Sequence, residues 1–340
     1  MLVFALTTLP QQAIAKTTIT FGSCIDNDKP DHPIWQSIIA TNPKAMIFLG
    51  DNVYAPTIFS TLLPDVGFLK SEYEKLGSSP GFLKLKQNTE FFAIWDDHDY
   101  GLNDGGADFE LKDESQKVFM DFWGVLPSSE RYKSPGTYDS SSFTVGELTV
   151  QLLLLDTRYF RSPILNGDTT KQCPTRNYIP NNDLNATLLG EDQWRWLEQK
   201  LGEAADLHIL ASSIQVVPYQ HCWERWGTMP GERKRLFDLI RSTKAHVVII
   251  SGDRHLGEIS LLPRDDALGV GYPLIEVTSS PVSSQSGFGK DELNDYRVGT
   301  DNMRESNFGV LVFDEVANTV TAELRGTDGS VLQSVRIFSR

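Results

Sequence analysis

Histidine is scarce in this sequence, and the scarcity limits the metal chemistry it can carry. Six histidines stand against 45 acidic residues in 340. A site for several metal ions must therefore lean on oxygen ligands, which points to hard cations. Basic residues are also in deficit, 31 Lys and Arg leaving a formal net charge of −14. That balance disfavours nucleic acid or an anionic membrane face as a general docking partner. An anionic substrate would need a local cation to reverse the field. No stretch approaches the ~18 apolar residues of a transmembrane helix, and no repeat or low-complexity linker interrupts the chain. Hydrophobic residues make up 40% and charged residues 22%, an ordinary globular balance that allows a large core.

The chemistry-bearing residues gather where apolar runs stop. Val247-Val248-Ile249-Ile250 reads as a strand buried on both faces, and it ends in Ser251-Gly252-Asp253-Arg254-His255. Met46 to Leu49 ends in Gly50-Asp51-Asn52-Val53-Tyr54, and Phe91 to Trp95 ends in Asp96-Asp97-His98-Asp99. Thr17 to Phe21 ends in Gly22-Ser23-Cys24. One strand followed by Gly-Asp is ordinary turn chemistry. Four strand ends carrying Cys, Asp, Tyr and His read better as the rim of one metal site, since open α/β sheets place their chemistry at carboxyl ends.

Residues 1–15 read as a leader rather than fold. Met1 to Leu6 is apolar and Ala13-Ile14-Ala15 fits the small-residue pattern before a cleavage point, although the basic segment of a signal peptide is missing. A signal peptide remnant implies a secreted, periplasmic or extracellular protein, with a single domain over 16–340. Cys173 and Cys222 remain once Cys24 is given to the site. In an exported chain that even remainder suggests a disulfide, with two buried thiols as the other reading. Helices are expected at Pro33–Thr41, Gly67–Leu76, Asp113–Gly124, Gly190–Leu201 and Pro230–Ser242. A hairpin is expected over Gly136–Asp156, turning at Gly146-Glu147, and strands follow one another after Gly257. The polar stretch Ser283 to Asn307 is expected to be either functional or disordered. No helix pattern follows the last strand, so a site open to bulky diesters is expected.

Gly22-Ser23-Cys24, Gly50-Asp51 with Tyr54, Trp95 to Asp104, Leu155-Asp156-Thr157-Arg158 and Ser251 to His255 together resemble the signature set of PhoD-type alkaline phosphatases. These are relatives of the calcineurin-like metallophosphoesterases. The resemblance runs in order from about residue 18 to residue 262. It implies an α/β fold, a four-layer α/β/β/α sandwich of two mixed sheets. It also implies an exported hydrolase for phosphomonoesters and phosphodiesters, small esters or phospholipids, using Fe³⁺ with one or two Ca²⁺ ions and metal-activated hydroxide. The sequence departs from wider relatives at Ser212-Ser213-Ile214-Gln215, where a further metal-binding His is usual.

The residue chemistry agrees with that set. Thiolate, phenolate and imidazole at Cys24, Tyr54 and His255 suit a Lewis-acidic trivalent iron, and Asp51 can bridge to a second ion. Asp97, Asn103 and Asp253 suit calcium. His98 is the candidate general acid for the leaving alkoxide, with Asp99 orienting its ring. Arg158 either holds a phosphate oxygen or pairs with Asp156, and His221 is either a substrate contact or a packed histidine. Asp96 reads as structural, Arg254 as pointing away from the site, and His32, His208 and His246 as structural. Two other readings remain: a dedicated phosphodiesterase or phospholipase D-like hydrolase, and a non-catalytic calcium-binding module.

Overall fold

The computed structural model describes residues 16–55, 65–285 and 292–340. The apolar leader at residues 1–15 lies outside the described residues. In chain order the first elements are Lys16–Gly22 (β1), Ile34–Ala40 (α1), Ala45–Leu49 (β2), Val66–Ser78 (α2), Pro80–Lys86 (α3) and Glu90–Ile94 (β3). Asp97–Tyr100 (α4), Lys112–Phe122 (α5) and Glu130–Lys133 (α6) precede the hairpin Asp139–Val145 (β4) and Leu148–Leu154 (β5). Then come Leu165–Asn166 (β6), Tyr178–Ile179 (β7), Gly190–Leu201 (α7), Leu207–Ser212 (β8), Pro230–Thr243 (α8) and Val247–Ser251 (β9). The chain closes with Glu258–Leu262 (β10), Leu274–Thr278 (β11), Asn307–Asp314 (β12), Thr319–Gly326 (β13) and Val331–Ser339 (β14).

Two six-stranded mixed sheets result, in the orders β14-β13-β12-β1-β2-β3 and β10-β11-β9-β8-β5-β4. Strands β1, β2 and β3 are parallel, as are β5, β8, β9 and β11, while the outer neighbours run antiparallel. Alternation along each central strand explains the layering. In β2, Ala45, Ile47 and Leu49 enter the core between the sheets, and Met46 and Phe48 enter the core under α1, α2, α3 and α5. In β9, Val248 and Ile250 face the other sheet, and Val247 and Ile249 face the core under α7 and α8. The expected four-layer sandwich is present. Helices α3, α4 and α6 were not anticipated, because none offers more than two turns of periodic pattern.

The parallel strands of both sheets deliver their carboxyl ends to one rim. There the segment beyond β8 is pinned by a buried acid: Glu276, on β11, accepts the Val216 and Val217 amides (3.0 and 2.5 Å). Burial pushes its pKa up from the ordinary glutamate range to about 7. A folded-state pKa above the unfolded one means that the folded protein holds this proton more tightly. The resulting stabilisation is full below the unfolded value near 4.5 and lost as pH rises through 7. Comparison of wild type with Glu276→Gln by denaturant unfolding should therefore show the wild type losing about 3 kcal/mol relative to the variant between pH 4.5 and 7.5. A pH-independent difference would contradict this.

Candidate metal centre

The strand ends meet because two glycines let them touch. At Gly50 the backbone is left-handed (φ +95°), and a Cβ there would lie 2.5 Å from the Asp96 Cβ. A Cβ on Gly252 would lie 2.5 Å from that of Ser23. The residues beside these glycines are bent as well. Cys24, Asp51, Asp253 and His255 adopt φ of 60°, 49°, 63° and 50°. Such left-handed conformations cost a non-glycine residue about 1–3 kcal/mol each and cluster at functional sites.

Asp51 is the hub. Its Oδ2 accepts the Cys24 thiol (3.4 Å) and the Tyr54 hydroxyl (3.2 Å), and the Tyr54 hydroxyl lies 3.4 Å from His255 Nε2. Cys24 Sγ, an Asp51 oxygen and a His255 nitrogen all lie within 4.8 Å of one another. His255 is oriented by its Nδ1, which bonds the Ser284 carbonyl and leaves Nε2 facing the cluster. Ser280 Oγ donates to Cys24 Sγ (3.1 Å), as thiolate ligands commonly require.

Two further groups share Asp51: Asp51, Asp97 and His98, and Asp51, Asp96 and Asp253. Burial, followed by the charges of Cys24, Asp97, Asp96 and Asp99, raises the Asp51 pKa well above the carboxylate range. Burial also raises Asp253, to about 6. Burial works against Asp97 too, but His98, Arg158 and the Asp104 amide hold it below the ordinary value. Asp96 Oδ2 and Asp253 Oδ2 are buried with no hydrogen-bond partner among the described residues. Buried carboxylates with orphaned oxygens, a thiol, a phenol and an imidazole gathered on one point form a donor set that fits metal cations.

Of the expected ligands, Cys24, Asp51, Tyr54, Asp97, Asp253 and His255 are brought together. Asn103 is linked to them only through its neighbour: its Nδ2 donates to Asp104 (2.5 Å), whose N–H donates to Asp97 Oδ2 (2.8 Å). His98 lies within the site, with Nε2 3.8 Å from Asp51 Oδ2 and 3.9 Å from Asp97 Oδ1, and its ring centre 4.3 Å from that of Tyr54.

Three expected roles need correction. Asp99 does not orient the His98 ring; fully buried, it accepts the Asp96 amide (2.6 Å), the Asn52 side chain (2.6 Å) and the Tyr73 hydroxyl (3.2 Å), tying β2 to β3. Arg158 is also fully buried and cannot meet a substrate. Its guanidinium pairs with Asp96 (2.5 Å) and Glu224 (2.6 Å), and its N–H, rather than its side chain, bonds Asp156. His221 is the packed alternative, 3% exposed, its Nδ1 accepting the Trp223 amide (3.3 Å). Burial, then Arg254 and Arg225, keeps it neutral.

Asp96, which reads as structural in the sequence, offers an unpartnered oxygen to the group with Asp51 and Asp253. Its signal was present in the sequence, as the first acid after a strand. Asp104 and Glu224 form a further group with Asp97, held by arginines and so unlike an open cation site. Ser280 beyond β11 carries no sequence signal, because its contribution is a hydroxyl that no ligand pattern announces, whereas Ser284, whose carbonyl bonds His255, lies in the polar stretch expected to be functional or disordered.

Comparison with known proteins gives the family of this chain. The model of the PhoD-like phosphatase family matches residues 19–329. Alkaline phosphatase D of Bacillus subtilis (strain 168) is 28% identical over 90% of this chain and 56% of that protein. The chain thus spans just over half the length of that curated relative. Among solved structures, one described as the structure of PhoD superposes with a TM-score of 0.72 at 17% identity, covering 98% of this chain and 73% of the other. GAP50, described as the anchor in the inner membrane complex of Plasmodium, gives 0.56 at 12% identity, covering 96% and 89%. Those two likenesses concern the fold. With the family model matched along nearly the whole described chain, this protein belongs to the PhoD-like phosphatase family.

Proposed function

We propose that the protein is an exported metal-dependent phosphoesterase that hydrolyses phosphomonoesters and phosphodiesters. The observation that carries this reading is the convergence of Cys24, Tyr54 and His255 on Asp51, with Asp96, Asp97 and Asp253 around the same residue. Cys24, Asp51, Tyr54 and His255 would hold iron(III), and Asp51, Asp97, Asp253, Asn103 and Asp96 would hold one or two calcium ions. Bound there, such cations lower the pKa of water and offset the charge of phosphoryl oxygens.

The chain's own groups do the rest. His98 Nε2 holds the proton that passes to the departing alkoxide oxygen. Its side chain is 12% exposed, enough to be approached from solvent, and the Tyr54 ring packs against it at 4.3 Å with the two planes tilted by 43°. Asp99 acts one step back, by locking the loops that carry Asp51 and His98. Arg158 balances the buried charge of Asp96 and Glu224, so that Asp96 keeps a fixed oxygen toward the centre. The Cys173–Cys222 disulfide supports export, since such bonds persist in oxidising compartments. No helix among the described residues is long and apolar enough to cross a membrane. Small phosphate esters are the substrates proposed, with phospholipids admitted by the same diester chemistry.

Charge transfer from the Cys24 thiolate and Tyr54 phenolate to iron(III) should colour the protein. Tyr54→Phe and Cys24→Ser should each bleach or shift the visible band and lower turnover of p-nitrophenyl phosphate. A colourless, active wild type would contradict the assignment.

His98→Ala should lose about 10²–10⁴-fold in rate on an alkyl phosphate while keeping its metal. The loss should shrink on p-nitrophenyl phosphate, whose leaving group hardly needs a proton. An equal loss on both substrates, or loss of metal, would make His98 a ligand instead.

A further inference from the structure

Four arginines lie near the centre, and they are not equally committed. Arg158 and Arg161 are buried on Glu224, and Arg254 is buried against Glu292 and Asp253. Arg176 differs, with a side chain 36% exposed. Its Nη1 bonds Asp104, while its Nε and Nη2 make no hydrogen bond to another described residue. The Asp104 carboxylate has an oxygen within 4.8 Å of the Asp97 carboxylate, and the Asp104 N–H donates to Asp97 Oδ2 (2.8 Å). A single carboxylate thus separates the Arg176 guanidinium from a candidate calcium ligand.

Its position is enforced. The guanidinium carbon lies 5.3 Å from the Tyr178 ring centre and 5.6 Å from that of Trp223. Tyr178 donates its hydroxyl to Asp104 (2.6 Å) and its N–H to the Cys222 carbonyl (2.9 Å). The disulfide from Cys173 to Cys222 joins the segment carrying Arg176 to the one carrying Trp223. Arginine donors left open beside a cation centre suit a phosphate oxygen.

We infer that Arg176 takes the third non-bridging oxygen of a phosphomonoester, held in place by the Cys173–Cys222 tether, and so sets the preference for monoesters over diesters. The inference rests on the phosphoesterase reading above. A monoester dianion has three non-bridging oxygens; two can face the cations, leaving one for Arg176. A diester has two and leaves none, so removing the guanidinium penalises the monoester more.

The test measures kcat/KM of the metal-loaded protein for p-nitrophenyl phosphate and bis-p-nitrophenyl phosphate, and inhibition by inorganic phosphate. Arg176→Ala should lower the monoester-to-diester ratio at least ~10-fold, mostly through KM, and weaken phosphate inhibition similarly, the scale of one charge-assisted hydrogen bond. Arg176→Lys should recover part of the loss. The double variant Cys173→Ser/Cys222→Ser should move the ratio in the same direction with bound metal unchanged. An unchanged ratio and unchanged phosphate inhibition in Arg176→Ala would overturn the inference and leave the phosphoesterase reading standing. A wild type that turns over neither ester would overturn that reading, and the inference with it.

Discussion

Negative charge gathered out of water is the constraint to which the rest of the structure answers. Asp51, Asp96, Asp97 and Asp253 are packed against one another and against a buried thiol and phenol, on the rim where two sheets present their strand ends. Burial raises Asp51, Asp96 and Asp253, and the charge of Asp97 raises all three further. The arginines that reach these acids are shared with other carboxylates, Arg158 between Asp96 and Glu224 and Arg254 between Asp253 and Glu292. What is left over, centred on Asp51, is a demand for cations.

The fold pays for this arrangement with backbone conformations that only a rigid frame would retain. Four residues of the centre sit at left-handed φ, each following a strand of a doubly covered sheet. The cores on both faces of each sheet hold the strand ends still, and Asp99 locks β2 to β3 from beneath. Asp99 and Arg158 look like reactive residues in sequence and act as struts. Both sit one layer behind the residues that face the centre, which is why their charge can be fixed while that of Asp51 is left open.

The layering was legible in the sequence because β-branched runs such as Val247–Ile250 alternate between two cores. Cys24, Asp51, Tyr54, Asp97 and His255 were legible because each follows such a run. The direction in which a side chain points was not. Asp99 stands beside His98 in sequence, but one turn of helix aims it inward at Asn52 and Tyr73. Arg158 follows an apolar strand just as Asp51 does, yet length and charge draw it to Asp96, which follows a strand of the other sheet. The pairing of Cys173 with Cys222 and the approach of Arg176 to Asp104 span loops with no periodic pattern, so only the folded chain brings them into view.

Whether the buried charge is answered by cations is best asked of the purified protein by elemental analysis for iron, calcium and zinc. The account predicts close to one iron per chain together with calcium, and little zinc. Stoichiometric zinc without iron, or an active protein free of all three, would contradict it.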